Sequence, residues 1–246
     1  MGCRLDLLAG NGSAGQLPNE PMSETLYIDE IPGGTRQRLR RLSADEMLTE
    51  AMNIVVALVA LVFLAPVMLG VTLAIFAQDG APIIFAHRRI GRDGRYFHCL
   101  KFRSMAVDAE KRLAALLASD PVARAEWDKD HKLRNDPRVT KLGAFLRKTS
   151  LDELPQLFNV LRGDMSLVGP RPIVDAEVVK YGRRFKDYCA VKPGITGLWQ
   201  VSGRNDVSYR VRVAMDCVYA RQRNVIMDGL IIAATVPAVL ARRGSY

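Results

Sequence analysis

RKTSLDELPQLFNVLRGDMSLVGPRP, residues 147–172, sets two adjacent carboxylates, Asp152 and Glu153, between Arg147 and the turn Gly169-Pro170-Arg171-Pro172. Ser150-Leu151-Asp152-Glu153 fits a capping box with Ser150 as N-cap and Glu153 three positions later. Pro155 favours a second register, with Asp152 as N-cap and the proline in the first turn, where no backbone N–H is required. In both registers the acids sit at a helix start, where the helix dipole favours negative charge. Leu154, Leu157, Phe158 and Leu161 then recur at helical spacing and predict a core-facing stripe. Capping alone would account for the acids. Their company, an arginine on one side and a proline-framed arginine on the other, suits chemistry on a phosphate.

Working outward on the N-terminal side, Ala51 to Ala77 (AMNIVVALVALVFLAPVMLGVTLAIFA) carries no charge, and only Asn53 and Thr72 are clearly polar. It exceeds the ~20 residues a bilayer-spanning helix needs. Pro66 predicts a kink or a break near its middle. Arg36, Arg38, Arg40 and Arg41 precede the stretch, and Arg88, Arg89 and Arg92 follow it. With both flanks basic, the positive-inside rule places both on the cytoplasmic side. A helix-break-helix that enters and leaves through one leaflet satisfies this; a straight span does not. Residues 1–45 are rich in Gly, Pro and Ser and read as a flexible arm, residues 46–80 as the re-entrant anchor, and 81–246 as a cytoplasmic catalytic domain.

Within that domain, Ala81 to Ala86 and Arg95 to Phe102 read as short strands around the turn Gly91-Arg92-Asp93-Gly94, a small hairpin. Met105 to Ser119 reads as an amphipathic helix, and Asp120-Pro121 as the cap and first residue of another. Ile173 to Ala190 reads as a charged helix, residues 192–205 as a Gly-rich loop, and Asp206 as a candidate cap for the helix that follows. Val225 to Leu240 is apolar but short, with Arg221, Arg223, Arg242 and Arg243 at its ends. It fits a second span, a core helix or a helix lying in the interface, and its basic ends favour the last two. The expected fold class is an α-dominant α+β one: a re-entrant anchor, a compact domain with one β-hairpin, and amphipathic interfacial helices.

The 246 residues carry a formal net charge of +9, which implies an acidic partner. Nucleic acid is one such partner, but no helix-turn-helix, zinc-finger or aromatic RNA-binding signature accompanies the charge. Cys3, Cys99, Cys189 and Cys217 are scattered, as are His87, His98 and His131, so neither a zinc site nor disulfides are expected.

Several stretches in order resemble the bacterial sugar transferases, the monotopic phosphoglycosyl transferases that begin exopolysaccharide assembly on polyprenol phosphate. They are Lys101-Phe102-Arg103-Ser104-Met105, Asp136-Pro137-Arg138-Val139-Thr140, Leu151 to Gln156, Gly163-Asp164-Met165-Ser166, Val168 to Pro172, Lys192 to Gly197, and Gly203-Arg204-Asn205. The likeness covers roughly Met47 to Tyr246. It implies the same re-entrant anchor, with two departures: Ala65-Pro66 stands where the family has Ser-Pro, and Thr49-Glu50-Ala51-Met52-Asn53 replaces an opening with a basic pair and an Asp.

The resemblance implies transfer of hexose-1-phosphate from a UDP-hexose, galactose or glucose, to undecaprenyl phosphate with release of UMP. Asp152 would be the nucleophile, forming a covalent phosphosugar intermediate, and Glu153 the base, both near Mg²⁺. Arg147, Arg171 and Arg204 would bind phosphate, and Arg171 is preorganised by its flanking prolines. The expected location is the bacterial inner membrane with the catalytic domain on its cytoplasmic face. The expected partners are the UDP-hexose, undecaprenyl phosphate, the bilayer and further copies of the chain, and not nucleic acid. A reading from another class is a non-catalytic membrane adaptor in which the acids are purely structural.

Overall fold

The computed structural model describes residues 43–130, 133, 135–202 and 207–240. The expected N-terminal arm therefore falls almost wholly outside the described residues, as do Arg204 and Asp206.

The first element, α1 (Ala44–Asp79), begins with a capping box: Ser43 Oγ accepts from the Glu46 amide, and Glu46 Oε2 accepts from the Ser43 amide. It is long and apolar enough to cross a membrane, and only 11% of its most apolar window is buried. Of the kink or break expected at Pro66, the break is absent: the helix is continuous through it. A proline removes one backbone donor, and the remaining bonds on either side suffice to carry the helix past it. Thr49, Asn53, Ala57, Val71 and Ile75 are buried, while Val62 and Phe63 at mid-helix are exposed. The residues that depart from the family's opening have their own partners. Glu50 pairs with Lys192 at 2.6 Å. Asn53 donates to Ser166 Oγ at 2.9 Å and accepts from the Leu167 amide at 3.0 Å.

The hairpin of β1 (Ile84–Ile90) and β2 (Tyr96–Phe102) follows. The first strand lies later than expected and runs through His87-Arg88-Arg89. These polar residues weaken its sequence signal, and a full antiparallel register with β2 holds them in place. Next come α2 (Ala109–Ser119) and α3 (Pro121–Asp130). Asp120 Oδ1 accepts from the Val122 and Ala123 amides, the cap its position predicted.

After α4 (Lys141–Thr149) and α5 (Gln156–Arg162), β3 (Ser166–Val168) pairs in parallel with β4 (Gly194–Thr196). Between them, α6 (Asp175–Tyr181) and α7 (Phe185–Cys189) replace the single charged helix expected. Gly182, at φ 51°, breaks it. Then come α8 (Leu198–Ser202), α9 (Tyr209–Gln222) and α10 (Val225–Leu240). Ser208 caps α9, accepting from the Val211 amide.

A central apolar cluster joins Ala57 of α1, Cys99 of β2, Leu157 and Val160 of α5, Met165 and Tyr219. Asn159 is fully buried and fixes α5 to the hairpin, donating to His98 O at 2.8 Å and accepting from the Leu100 amide at 2.9 Å. A buried side-chain amide satisfied on both its oxygen and its nitrogen sets register more sharply than apolar contact does.

Candidate active site

Three structural units meet at the acid pair. The first is the link from α4 to α5. Helix α4 ends at Ser150, a non-glycine residue in the left-handed region (φ 57°, ψ 15°), and Leu151–Glu153 forms one 3-10 turn. Pro155 then stands at the start of α5 with no side-chain cap. Neither capping register is present: the acids lie in a tight turn between two helices, and no backbone amide donates to Ser150 Oγ, Asp152 or Glu153 among the described residues. Ser150 closes α4 and redirects the chain before the acids arrive, so they are not used in capping.

The second unit is the hairpin. In β2, Phe97, Cys99 and Lys101 alternate onto one face. Lys101 Nζ reaches Glu153 Oε1 at 2.6 Å, with the two side chains 22% and 21% exposed. The third is the Gly-Pro-Arg-Pro turn. The Gly169 amide donates to Thr196 O at 2.9 Å, and the Gly194 amide donates to Pro170 O at 2.8 Å. The backbones of Gly169 and Gly194 approach so closely that a Cβ on either would overlap the other strand. From this frame Arg171, 45% exposed, places Nη1 3.7 Å from Glu153 Oε1. Arg89 of β1 donates to Pro172 O at 3.1 Å, which ties the turn to the hairpin.

Arg147 lies in the last turn of α4, and its Nε donates to Ser104 Oγ at 2.9 Å. Gly143, one turn earlier, sits directly on the Ser104 backbone. Asp136 grips Arg138 through contacts of 2.6 to 3.0 Å and contributes to the field around Arg147.

The two acids occupy opposite environments. Asp152 is 7% exposed and accepts no hydrogen bond from the described residues. Burial pushes its carboxyl above the usual range, against the positive fields of Lys101, Arg147 and Arg171 and with the repulsion of Glu153. Around Glu153 burial acts in the same direction, but Lys101 and Arg171 outweigh it and hold that carboxyl below the usual range. Adjacent carboxylates pushed apart in this way divide roles: one is firmly ionised and paired, the other poorly solvated and unpaired. A poorly solvated, unpartnered carboxylate oxygen among cations is equipped to attack phosphorus.

Of the residues expected from the sequence, Asp152, Glu153, Arg147 and Arg171 belong to this one site; Arg204 lies outside the described residues. Sequence reading missed Lys101 and the role of Arg89. The signal for Lys101 was present: a lysine closing the inward alternation Phe97, Cys99, Lys101 stands where an apolar residue would otherwise be. Among the described residues no three His, Cys, Asp or Glu side chains gather to hold a metal by themselves. Mg²⁺, however, commonly takes one or two carboxylates and fills its shell from substrate phosphates and water, and two adjacent carboxylates fit that mode.

A family model described as bacterial sugar transferase matches residues 44–242. The chain is 50% identical over 203 residues to the undecaprenyl-phosphate galactose phosphotransferase of Salmonella typhimurium, covering 82% of this chain and 42% of that protein. It is 46% identical over 224 residues to the exopolysaccharide production protein ExoY of Rhizobium meliloti, covering 91% and 96% respectively. To the UDP-glucose:undecaprenyl-phosphate glucose-1-phosphate transferase of Escherichia coli it is 38% identical over 210 residues, covering 82% and 42%. The chain spans less than half the length of several curated relatives it matches, and nearly all of ExoY.

Proposed function

The chain belongs to the bacterial sugar transferase family, and from that premise we propose that it transfers hexose-1-phosphate from a UDP-hexose to undecaprenyl phosphate, releasing UMP. The observation that carries the proposal is the division of the acid pair. Asp152 is buried, unpaired among the described residues and raised in pKa, beside a Glu153 held ionised by Lys101 and Arg171.

An Asp152 oxygen attacks the β-phosphorus of the UDP-hexose. The bond from that phosphorus to the bridging oxygen breaks, and UMP leaves with the electron pair. An oxygen of the lipid phosphate then attacks the same phosphorus, and the bond to Asp152 breaks, restoring the carboxylate. Each step is an in-line displacement that gains most from positioning and charge neutralisation. Lys101, Arg171 and Arg147 supply fixed positive charge, and Glu153 accepts any proton the incoming lipid phosphate carries. Mg²⁺, when bound by Asp152 or Glu153 with the diphosphate, adds charge neutralisation. The higher identity to the galactose transferase than to the glucose transferase favours galactose.

Helix α1 serves as a re-entrant membrane anchor on the cytoplasmic face of the inner membrane, bending at Pro66 without a break in the helix. Both its ends are bonded to the same domain. Glu46 pairs with Arg223 at 3.0 Å and Asp45 accepts from the Val225 amide at 3.3 Å, while Gly80 O accepts from Arg103 at 2.9 Å. Ends fixed to one domain, with exposed apolar side chains between them, support entry and exit through one leaflet. Phe145, Ile226 and Leu230 are further exposed apolar side chains, which supports α4 and α10 lying on the bilayer surface.

The test supplies the detergent-purified protein with UDP-galactose or UDP-glucose, Mg²⁺ and undecaprenyl phosphate. Release of UMP with formation of a lipid-linked hexose phosphate is expected. No UMP from any UDP-hexose would overturn the assignment.

A further inference from the structure

The inward face of the hairpin carries more than the acid pair uses. Its register sets Phe85 opposite Lys101, His87 opposite Cys99, and Arg89 opposite Phe97. Because Lys101 reaches Glu153, this face is the one turned toward the acids. Phe85 is 53% exposed, and its ring stacks on His87 with centroids 5.7 Å apart and planes at 29°. The His87 imidazole makes no hydrogen bond with the described residues. Its Nδ1 is buried without a partner among the described residues, and the residue as a whole is only partly buried.

These facts fix the state of the ring. Burial, with the charges of Arg89 and Lys101, lowers the His87 pKa and keeps the imidazole neutral. A proton on the buried Nδ1 would lack an acceptor, and a lone pair there sits comfortably near two cations. The tautomer with its proton on Nε2 is the one this environment favours, an uncharged donor among fixed cations, beside an exposed aromatic face.

We propose that Phe85 and His87 form the subsite for the hexose ring of the sugar nucleotide, and that His87 is a specificity-determining residue. The inference rests on the function proposed above. In a UDP-hexose the β-phosphate carries the hexose directly, and the nucleoside lies one phosphate further away. With the β-phosphate at Asp152, between Lys101 and Arg171, the first group beyond it is the sugar, and Phe85 stands directly opposite Lys101. A pyranose presents a C–H face for the Phe85 ring and hydroxyls for the His87 N–H. A neutral donor does not compete with the cations for phosphate, and it has no use for an isoprenoid tail.

Exchange of labelled UMP into UDP-hexose, with no polyprenyl phosphate present, isolates the first half-reaction. The full chain is compared as wild type, His87→Ala, His87→Gln and Phe85→Ala, on UDP-galactose and on UDP-glucose. His87→Ala is expected to lower kcat/KM on the preferred sugar about tenfold, and on the other sugar much less, so that the preference collapses. His87→Gln, which keeps a donor, recovers most of the loss, and Phe85→Ala lowers kcat/KM on both sugars. KM for UMP, which carries no hexose, stays within about twofold in every variant. Equal losses on both sugars after His87→Ala, a changed KM for UMP, or an effect confined to the lipid acceptor in the full reaction would overturn the subsite. Wild-type protein that neither exchanges UMP nor releases it in the full reaction overturns the proposed function itself, and the two failures are thereby distinguished.

Discussion

Replacing Asp152 with asparagine separates chemistry from folding at one position. The carboxylate is 7% exposed and accepts no hydrogen bond from the described residues, so the amide gives up no visible bond. Burial raises the Asp152 pKa. A group raised in the folded state contributes stability below its unfolded pKa, and that stability is lost as pH rises through the folded value. At pH 8 the wild type therefore carries a buried-charge penalty that asparagine lacks. Against this, the new amide brings two donors into a tight space, and one left unpaired costs about 1–3 kcal/mol. The two effects oppose each other, so Asp152→Asn is expected within about 2 kcal/mol of wild type, gaining ground as pH rises above the ordinary carboxylate value of 3.8. Turnover is expected to fall on the order of 10⁴-fold or more, the scale seen when a nucleophile is removed. Thermal unfolding of the detergent-solubilised protein at several pH values gives the first quantity, and UMP release gives the second. A folded variant that turns over within tenfold of wild type would refute the nucleophile role. One destabilised by well over 3 kcal/mol would show that the carboxylate is a structural element after all.

Lys101→Met removes the 2.6 Å contact to Glu153 and leaves the weaker pull of Arg171, at 3.7 Å, and of Arg89 to hold that carboxyl down. UMP release should fall roughly 10- to 100-fold, and the acid limb of its pH profile should move to higher pH, because the Glu153 pKa rises when its main cation goes. Asp216, buried beside the Tyr181 hydroxyl at 2.7 Å, is pushed up to about 7 from 3.8. The stability it contributes is present below pH 3.8 and lost as pH rises to about 7. Asp216→Asn should flatten this decline, by up to about 4 kcal/mol at pH 8, as read from unfolding midpoints across pH. Gly143→Ala drives a methyl into the Ser104 backbone. It should cost about 1–3 kcal/mol in unfolding experiments, and should lower activity further than stability alone predicts, because Arg147 is held by Ser104 Oγ.

Much of the site was legible because its parts are local in sequence. Asp152, Glu153 and the Gly-Pro-Arg-Pro turn lie within one stretch, and its apolar spacing located α5. The hairpin was visible from its turn, but β1 was placed too early because His87, Arg88 and Arg89 mask a strand whose support comes from β2. The capping registers looked sound locally. They failed because Ser150 adopts a left-handed conformation that ends α4, its amide closing on the Leu146 and Arg147 carbonyls. The parallel pair β3 and β4 is three residues long on each side, too short for any periodicity to announce it. The partner of Lys101 was hidden for a different reason: Lys101 reaches Glu153 across a separation of 52 residues, and only the fold brings them together. Helix α1 was evident from its composition, and Pro66, which signals a kink or a break, does not interrupt it.

Whether Asp152 bonds to phosphorus can be read directly. The protein is mixed with UDP-galactose and Mg²⁺ without lipid phosphate, quenched in acid, digested and mapped by mass spectrometry. A single phosphohexose on the peptide carrying Asp152, discharged when undecaprenyl phosphate or UMP is added before the quench, is the predicted result. Lipid-linked product formed with no adduct at any step, or an adduct on another residue, would contradict it.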